Sequence, residues 1–305
     1  MTTTELGPLS PGARVALVAP SGPPPSELLA RSLELLVEWG LEPVVYPSAT
    51  AEHPRARYLA GSDSQRAADL QDAWCDETID AVFCARGGYG SVRMIDLLDH
   101  EALAAATPKP LCGSSDVTGI HEYWLERLGL ATWFTPMTAT ADLLDDPDAV
   151  ESLRRAVFEP ASGRTFTAPD AETIVAGEAH GRIIGGNLSL LAMTLGAHGR
   201  PVADHSGCIA LLEDVDEEPY RLDGLLTSLL RAGWFDGVAG IALGSWKGCG
   251  DLAEVRALAE ELLAPLGIPL VWELGFGHGP RASSVPLGVQ GTLSAGPTPE
   301  LVIAG

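Results

Sequence analysis

The first half of the chain alternates short apolar runs with longer stretches in which apolar residues recur at helical spacing. The short runs end at glycine, proline or serine, which is typical of buried strands. The predicted strands cover residues 14–19, 43–46, 81–84 and 111–112, and the predicted helices cover 26–39, 64–74, 91–98 and 116–128. Ser26 is the predicted N-cap of the first helix. This alternation predicts a parallel sheet with helices on both faces, similar to flavodoxin-like and Rossmann-like folds.

The second half mixes strands and helices less regularly. Strands are predicted at 181–184, 207–212 and 238–243, helices at 221–232 and 252–266, and tail strands at 287–289 and 301–303. Between the halves, residues 143–176 are rich in Asp, Pro, Ser and Thr, which is typical of a linker, here with one short helix near 148–158. We therefore expect an N-terminal α/β domain over 1–145, a linker over 146–176, and a smaller mixed α/β domain with a β-rich tail over 177–305.

Composition excludes several classes of partner. Lysine and arginine number 19 against 41 aspartates and glutamates, giving a formal net charge of −22 with no basic stripe. Nucleic acid and anionic membranes are therefore not expected partners, because phosphate binding needs clustered cations. No apolar run approaches the ~20 residues of a transmembrane helix, and the N-terminus lacks the pattern of a secretory signal. We expect a cytoplasmic protein.

The five cysteines do not suggest metal or disulfide chemistry. Their number is odd and no two form a C-x-x-C pair, so neither a metal site nor a disulfide framework is expected. The simplest interpretation is a set of buried apolar thiols.

The turn at 113–118 could carry a nucleophile. In parallel sheets ligands bind beyond the carboxyl ends of the strands, where the turns at 20–22, 86–90 and 113–115 are predicted. Ser115 would begin a helix there, with the backbone N–H of Asp116 beside it as a donor to an oxyanion. The alternative is that Ser115 only caps the helix. The G-x-S-x-G elbow of α/β-hydrolases is not met, because Val117 replaces its last glycine.

The glycine-rich turn at 86–90, Arg-Gly-Gly-Tyr-Gly, follows a predicted strand. Such turns allow backbone amides to approach a ligand closely. A dinucleotide motif starting at Gly88 would need glycine at position 93, where Arg93 stands, and no P-loop follows. From this segment alone, a functional turn and a plain tight turn remain equally open.

Two further residues could supply acid–base chemistry. Glu213 ends a strongly apolar predicted strand, although strand-end carboxylates are often only solvated, and four more acids follow as competitors: Asp214, Asp216, Glu217 and Glu218. His278 lies in an irregular loop of glycines and proline, where a histidine is either functional or inert.

Taken in order along the chain, these segments resemble the LD-carboxypeptidase family of serine peptidases (muramoyltetrapeptide carboxypeptidases), which includes microcin C self-immunity hydrolases. The similar segments are 58–63, 66–70, 79–81 and 84–90 in the N-terminal domain, the nucleophile segment 113–118, and 185–191, 212–215, 219–223, 276–278 and 286–288 in the C-terminal domain. The resemblance runs from about Arg14 to the C-terminus.

The resemblance implies a catalytic triad on a two-domain α/β scaffold. Ser115 would come from the N-terminal domain, and Glu213 and His278 from the C-terminal domain, so that the site lies where the domains meet. The oxyanion donors would be backbone N–H groups of Asp116 and of the turn containing Gly87 and Gly88. No metal or organic cofactor is implied.

The family reaction removes the terminal D-Ala of a murein tetrapeptide from L-Lys or the L-centre of meso-diaminopimelate. The expected partner is thus a small muropeptide, with Arg86 as the candidate for its free carboxylate, and the family implies a homodimer. One departure is the segment 134–137, Phe-Thr-Pro-Met, where the family commonly has His-Gly-Pro-Met; this leaves the triad in place and the substrate preference open.

Three alternatives remain at this point. A self-immunity hydrolase acting on peptidyl or aminoacyl nucleotides would need an aromatic platform, for which Trp246 and the pair Trp133 and Phe134 are candidates. A non-catalytic protein could bind a peptide or sugar in the same cleft. A class I glutamine amidotransferase would use a cysteine nucleophile, and Cys112 lies three positions before Ser115.

Overall fold

The computed structural model describes residues 7–197 and 202–305, which divide into two units, one ending at Pro160 and the other starting at Ala161. In the N-terminal unit the elements are β1 Arg14–Val18, α1 Ser26–Glu38, β2 Glu42–Val45, α2 Asp63–Cys75, β3 Ala81–Cys84, α3 Ser91–Met94, α4 His100–Ala105, β4 Leu111–Gly113, α5 Thr118–Tyr123, β5 Thr132–Phe134, α6 Ala141–Leu144 and α7 Pro147–Phe158. Short 3-10 turns lie at Pro47–Ala49, Ile95–Leu97 and Ser115–Val117, and a π turn at Trp124–Leu128.

The strands of this unit lie side by side in the order β5-β4-β3-β1-β2, and every pair is parallel. The strands β1, β3 and β4 are almost wholly buried, as expected for a parallel sheet covered on both faces. The chain order reverses between β1 and β3, so the loops after these two strands flank a topological switch point, where open α/β sheets bind ligands.

On one face of this sheet the core is built around two tryptophans. The rings of Trp74 and Trp124 are fully buried and meet edge to face with centroids 5.2 Å apart, a favourable geometry for aromatic pairs. The indole N–H of Trp74 donates to the carbonyl of Leu103 at 3.1 Å. Helices α2 and α4 and the π turn that follows α5 are thereby packed together behind the strands.

A buried arginine fixes the loops at the carboxyl edge of the sheet. Arg66, on α2, is 0% exposed, and its Nη1 donates to the carbonyls of Pro20 (2.5 Å) and Gly90 (2.7 Å). Its other amino group pairs with Asp63. The loop after β1 and the glycine-rich turn after β3 are therefore held by one side chain.

The C-terminal unit consists of β6 Thr165–Phe166, β7 Glu172–Val175, β8 Gly177–Asn187, α8 Leu188–Thr194, β9 Ile209–Val215, α9 Pro219–Arg231, β10 Gly240–Lys247, α10 Leu252–Leu263, β11 Leu270–Trp272, β12 Val285–Leu287, β13 Gln290–Ala295 and β14 Glu300–Ile303. A 3-10 turn follows α10 at Ala264–Leu266. Eight strands form a sheet in the order β6-β14-β13-β8-β9-β10-β11-β7. Its centre, β8 to β11, is parallel, and the outer pairs are antiparallel.

The predicted fold class is confirmed: a parallel-sheet N-terminal domain and a mixed α/β C-terminal domain with a β-rich tail. Two details were wrong. Pro25, not Ser26, occupies the N-cap position of α1, and the helix predicted at 116–128 is a succession of 3-10, α and π segments. The domain limits 1–145, 146–176 and 177–305 stay a prediction. The segment predicted as a linker contains α7 and, unexpectedly, β6 and β7.

Among the described helices, none combines the length and the apolar character of a membrane span. The N-terminal stretch judged above to lack a signal begins with residues 1–6, which lie outside the described residues.

Candidate active site

Ser115 stands on a sharp turn directly after β4. Its backbone has φ of 57°, in a left-handed region that non-glycine residues rarely occupy and that is concentrated at functional sites. Ser114 occupies the N-cap position of the 3-10 turn without a side-chain capping bond, and Ser115 is the first residue of the turn itself. Ser115 is therefore not the helix cap, and its side chain is half-buried.

Asp116 holds the turn that contains Ser115 in place through its side chain. It is fully buried, and its Oδ2 accepts a hydrogen bond from the backbone N–H of Ser91 at 2.7 Å. The hydroxyl of Ser91 donates in return to the Asp116 carbonyl at 2.5 Å. Because Ser91 begins α3 directly after the glycine-rich turn, this pair fixes the two turns against each other.

Gly87 comes close enough to Ser115 to exclude any side chain. A Cβ built on Gly87 would lie 2.8 Å from the Ser115 Cβ and 2.9 Å from its Oγ, distances at which a real methyl group cannot be accommodated. The Gly87 carbonyl accepts a hydrogen bond from the Gly22 N–H at 2.9 Å. Gly88 has φ of 101°, which favours glycine. The structure thus brings the predicted glycine-rich turn to the predicted nucleophile.

Arg86 is half-buried beside this turn. Its Nη1 donates to the carbonyl of Pro23 at 2.8 Å, which orients the guanidinium along the loop after β1. A guanidinium carries five N–H donors, so this contact does not exhaust its capacity to bind an anion.

The segment 134–137, which departs from the family pattern described above, also supports strand β4, which precedes Ser115. The Thr135 N–H and the His121 Nε2 both hydrogen-bond the Gly113 carbonyl, at 3.0 and 2.9 Å, and the Phe134 ring contacts the His121 ring with centroids 6.0 Å apart. Burial lowers the pKa of His121 to about 4. His121 is therefore a neutral structural donor and does not fit the role of a catalytic base.

Glu213 and His278, 65 positions apart in sequence, meet in the C-terminal unit. The Oε2 of Glu213 is 2.7 Å from the Nδ1 of His278, and the exposed fraction of the side chain is 0% for Glu213 and 16% for His278. Because a carboxylate accepts, Nδ1 carries the hydrogen, and Nε2 is then the basic nitrogen of the neutral ring. A carboxylate that orients an imidazole in this way is also a part of the catalytic triads of serine hydrolases.

The loop that carries His278 passes close to Glu213. A glycine at position 277 allows this approach, and Ser245 holds the loop in place. Gly277 has φ of 105°, and a Cβ built there would lie 2.7 Å from both the Glu213 Oε2 and the Ser245 Oγ. Ser245, on β10, accepts a hydrogen bond from the Gly279 N–H at 2.8 Å, and its own N–H donates to the Phe276 carbonyl at 2.9 Å. Both sides of His278 are thereby tied to β10.

The role of Asn187 in this group was missed by the sequence analysis. Its Nδ2 donates to the Oε1 of Glu213 at 3.2 Å and to the Oδ1 of Asp214 at 2.9 Å, and its Oδ1 accepts from the Leu190 N–H as the N-cap of α8. The signal was present: Asn187 ends β8, the neighbour of β9, so the two strand ends meet at one edge.

Two of the competing acids, Asp214 and Glu217, have other partners. Asp214 accepts from the N–H and hydroxyl of Ser189 at 2.9 and 2.7 Å, and burial together with the charge of Glu213 raises its pKa to about 6. Glu217 pairs with Arg221 on α9. Glu213 is the acid that contacts His278.

The residues proposed for the alternatives are buried. Trp246 stacks on Trp272 with centroids 6.1 Å apart, and both are at most 4% exposed; Trp133 and Phe134 are equally enclosed. The thiol of Cys112 is buried, which raises its pKa well above the usual range. A nucleophilic cysteine instead needs a lowered pKa.

A strained serine at a strand end and a buried carboxylate–imidazole pair on an α/β scaffold are features of serine hydrolases, and the family match identifies the class as a serine hydrolase. Residues 15–135 match the family model for the LD-carboxypeptidase N-terminal domain and residues 180–293 that for the LD-carboxypeptidase C-terminal domain. The chain belongs to the LD-carboxypeptidase family.

Two relatives named as carboxypeptidases match this chain over nearly their whole lengths. A putative carboxypeptidase of Streptomyces coelicolor is 50% identical over 94% of this chain and 92% of its own. A murein tetrapeptide carboxypeptidase of Pseudomonas aeruginosa is 32% identical over 92% of each.

Solved structures agree on the fold. A muramoyltetrapeptide carboxypeptidase from Oxalobacter formigenes superposes with a TM-score of 0.81 at 26% identity over 96% of this chain and 99% of that one. The microcin C7 self immunity protein MccF superposes with a TM-score of 0.88 at 22% identity over 99% of each. At that identity, the likeness to MccF shows the fold alone.

Proposed function

We propose that this protein is an LD-carboxypeptidase that hydrolyses the terminal D-Ala from murein tetrapeptides, with Ser115, His278 and Glu213 as its triad. The observation that carries the proposal is the buried Glu213–His278 contact at 2.7 Å. The substrate class is supported by the murein tetrapeptide carboxypeptidase of Pseudomonas aeruginosa, 32% identical over nearly the whole chain.

In the proposed mechanism, Nε2 of His278 takes the proton of the Ser115 hydroxyl as Oγ attacks the scissile carbonyl carbon. Glu213 keeps the ring in the required tautomer and stabilises the imidazolium. The carbon–nitrogen bond then breaks, His278 gives the proton to the amine of D-Ala, and an acyl-enzyme remains. Water hydrolyses the ester by the same steps in reverse roles, so neither a metal nor an organic cofactor takes part.

The oxyanion would be held by backbone N–H groups of Asp116 and of the Gly87–Gly88 turn. The close approach of Gly87 to the Ser115 Oγ supports this placement, because donors must lie next to the attacked carbonyl. Arg86 is the proposed partner of the free D-Ala carboxylate. A homodimer, which the family resemblance implies, and the cytoplasmic location expected from the sequence complete the proposal.

Mass spectrometry of the reaction with L-Ala-γ-D-Glu-meso-diaminopimelate-D-Ala and with its L-Lys analogue tests the proposal. We expect the wild type to release D-Ala, Ser115→Ala to release none above background, and Ser114→Ala, at the adjacent buried serine, to remain active. Absence of D-Ala release from both peptides would refute the murein assignment. Release by Ser115→Ala equal to that by the wild type would refute the nucleophile.

The same assay separates the alternatives. Hydrolysis of an aminoacyl sulfamoyl adenosine in place of the tetrapeptide would indicate a self-immunity hydrolase, and tight peptide binding without turnover would indicate a binding protein. The burial of Trp246 and Trp133 speaks against either tryptophan as the platform for a base.

A further inference from the structure

A pocket lies beside the loop that follows β1 in the N-terminal unit. One wall consists of Pro23, Pro24 and Pro25, and the rest of the lining comes from Glu52, His53 and Arg57. Its volume is about 460 Å³, which lies in the range of small-molecule sites. The loop belongs to one of the two strands at the topological switch point, the position where open α/β sheets bind their ligands.

The pocket wall is connected directly to the nucleophile turn. The Gly22 N–H donates to the Gly87 carbonyl at 2.9 Å, and Arg86 Nη1 donates to the Pro23 carbonyl at 2.8 Å. A Cβ built on Gly87 would itself lie 2.9 Å from the Ser115 Oγ. In the sheet β1 lies two strands away from β4, so the loop that carries the wall lies about 10 Å from the turn that carries Ser115.

The pocket lining contains one anionic side chain, Glu52, and one cationic side chain, Arg57. No ion pair or hydrogen bond engages the side chains of Arg57 and Glu52 in the described part of the chain. His53 accepts hydrogen bonds at Nδ1 from the N–H groups of Arg55 (3.2 Å) and Ala56 (2.9 Å). Its Nε2 is therefore the nitrogen that carries the hydrogen and can donate.

This lining fits a ligand with a carboxylate, an ammonium group and an aliphatic stem. Arg57 and His53 can donate to the carboxylate, Glu52 can accept from the ammonium group, and the three prolines can pack against methylene groups. A lone carboxylate would leave Glu52 facing an anion, which is unfavourable. A lone ammonium group would likewise leave Arg57 facing a cation.

Resting on the proposed function, we propose that this pocket binds the amino-acid head of the diaminopimelate side chain, on the donor side of the scissile bond. In the acyl-enzyme the α-carbon would lie about 2.5 Å from the Ser115 Oγ, and the extended side chain adds roughly 7 Å. The head can therefore reach a wall about 10 Å from the nucleophile. L-Lys carries only the ammonium group, so the pocket selects diaminopimelate over lysine, with Arg57 as the specificity-determining residue.

The decisive experiment measures kcat/KM for D-Ala release from three tetrapeptides: one with meso-diaminopimelate, one with the same residue amidated on its side-chain carboxylate, and one with L-Lys. Arg57→Gln lowers kcat/KM about tenfold, through KM, for the first peptide alone, because a charge-assisted contact is lost. The matched control is Arg55→Gln, an exposed arginine two positions away and outside the pocket lining, which leaves all three values unchanged. Glu52→Gln raises KM for all three, since each carries the ammonium group.

Two results overturn the proposal. One is an Arg57→Gln variant that changes none of the three values. The other is an equal loss on all three, which would place in the pocket a carboxylate that they share, that of D-Glu or of D-Ala; a peptide with D-isoglutamine would then show no loss in the first case and the same loss in the second.

Calorimetry on full-length Ser115→Ala distinguishes failure of the proposed function from failure of the pocket proposal, because it measures peptide binding without turnover. If the wild type hydrolyses none of the peptides, the proposed function falls, and binding of the diaminopimelate peptide still decides the pocket. The Ser115→Ala protein should bind that peptide about tenfold more weakly when Arg57→Gln is added. Equal affinity with and without Arg57→Gln would refute the proposal.

Discussion

Asn187→Ala tests whether the buried carboxylates depend on a single bridging amide. The substitution removes donors to Glu213 Oε1 (3.2 Å) and Asp214 Oδ1 (2.9 Å) and the cap acceptor for the Leu190 N–H (3.2 Å). Loss of a cap costs about 1 kcal/mol, and each hydrogen bond to a charged group costs about 1.5 kcal/mol. The free energy of unfolding should therefore fall by about 4 kcal/mol, and Tm by roughly 10 °C.

If Asn187 has a purely structural role, Asn187→Ala should lower only the stability of the protein. If Asn187 also positions Glu213, the substitution should change the pH dependence of kcat as well. Removing a donor to a carboxylate raises its pKa, so the pKa of Asp214, which burial already raises to about 6, should rise further without the Asn187 amide. The acidic limb of kcat should consequently move to higher pH in Asn187→Ala, so that activity is lost more at pH 6 than at pH 8.

Urea unfolding, monitored by near-UV circular dichroism, measures the change in stability. The rate of D-Ala release between pH 5 and 9 gives the position of the acidic limb of kcat. The matched control is Asp251→Ala, which removes only the N-cap acceptor of α10 for the Ala253 N–H and should cost about 1 kcal/mol with no shift of the limb. If Asn187→Ala loses no more stability than Asp251→Ala and its acidic limb of kcat lies at the same pH as in the wild type, Asn187 does not act as a bridge between Glu213 and Asp214.

Three further predictions concern the site. Gly87→Ala should lower kcat about 100-fold, measured by D-Ala release, because the new methyl group would displace the Ser115 hydroxyl; retention of full activity would refute this packing. Glu213→Gln should lower kcat about 10⁴-fold, because Gln cannot fix the imidazole tautomer; a tenfold loss or less would remove Glu213 from the triad. For Asp214, the folded pKa of about 6 lies above the unfolded value. Its stabilising contribution is thus complete below about pH 4 and is lost as pH rises through about 6, by up to about 3 kcal/mol; denaturation curves for Asp214→Asn should lack this decline.

The sequence predicts best where burial is uniform. Strand β3 was predicted with its observed bounds, because the four apolar residues of Ala81–Cys84 are all buried and the run stops at a glycine-rich turn. The edge strands β6 and β7 were missed, since Thr165–Phe166 has two residues and Glu172–Val175 is only half-buried. Their pairing comes from tertiary neighbours and not from local pattern.

In the candidate site too, local sequence features could be predicted and contacts between distant residues could not. A strand end, a helix start and a glycine turn could mark Ser115, Glu213 and Gly87 as candidates. The left-handed backbone of Ser115 and the contact between Glu213 and His278 across 65 positions could not be predicted from spacing. The amide of Asn187 was overlooked because a strand-end asparagine also has an ordinary role as an N-cap.

The left-handed conformation of Ser115 has a practical consequence for engineering. A residue with a Cβ pays about 1–2 kcal/mol in that region, whereas glycine enters it without steric cost. Replacing Ser115 with glycine would relieve this strain and remove the proposed nucleophile at the same time. A selection that rewards heat resistance alone would therefore enrich inactive chains, and directed evolution of this enzyme has to score turnover in every round.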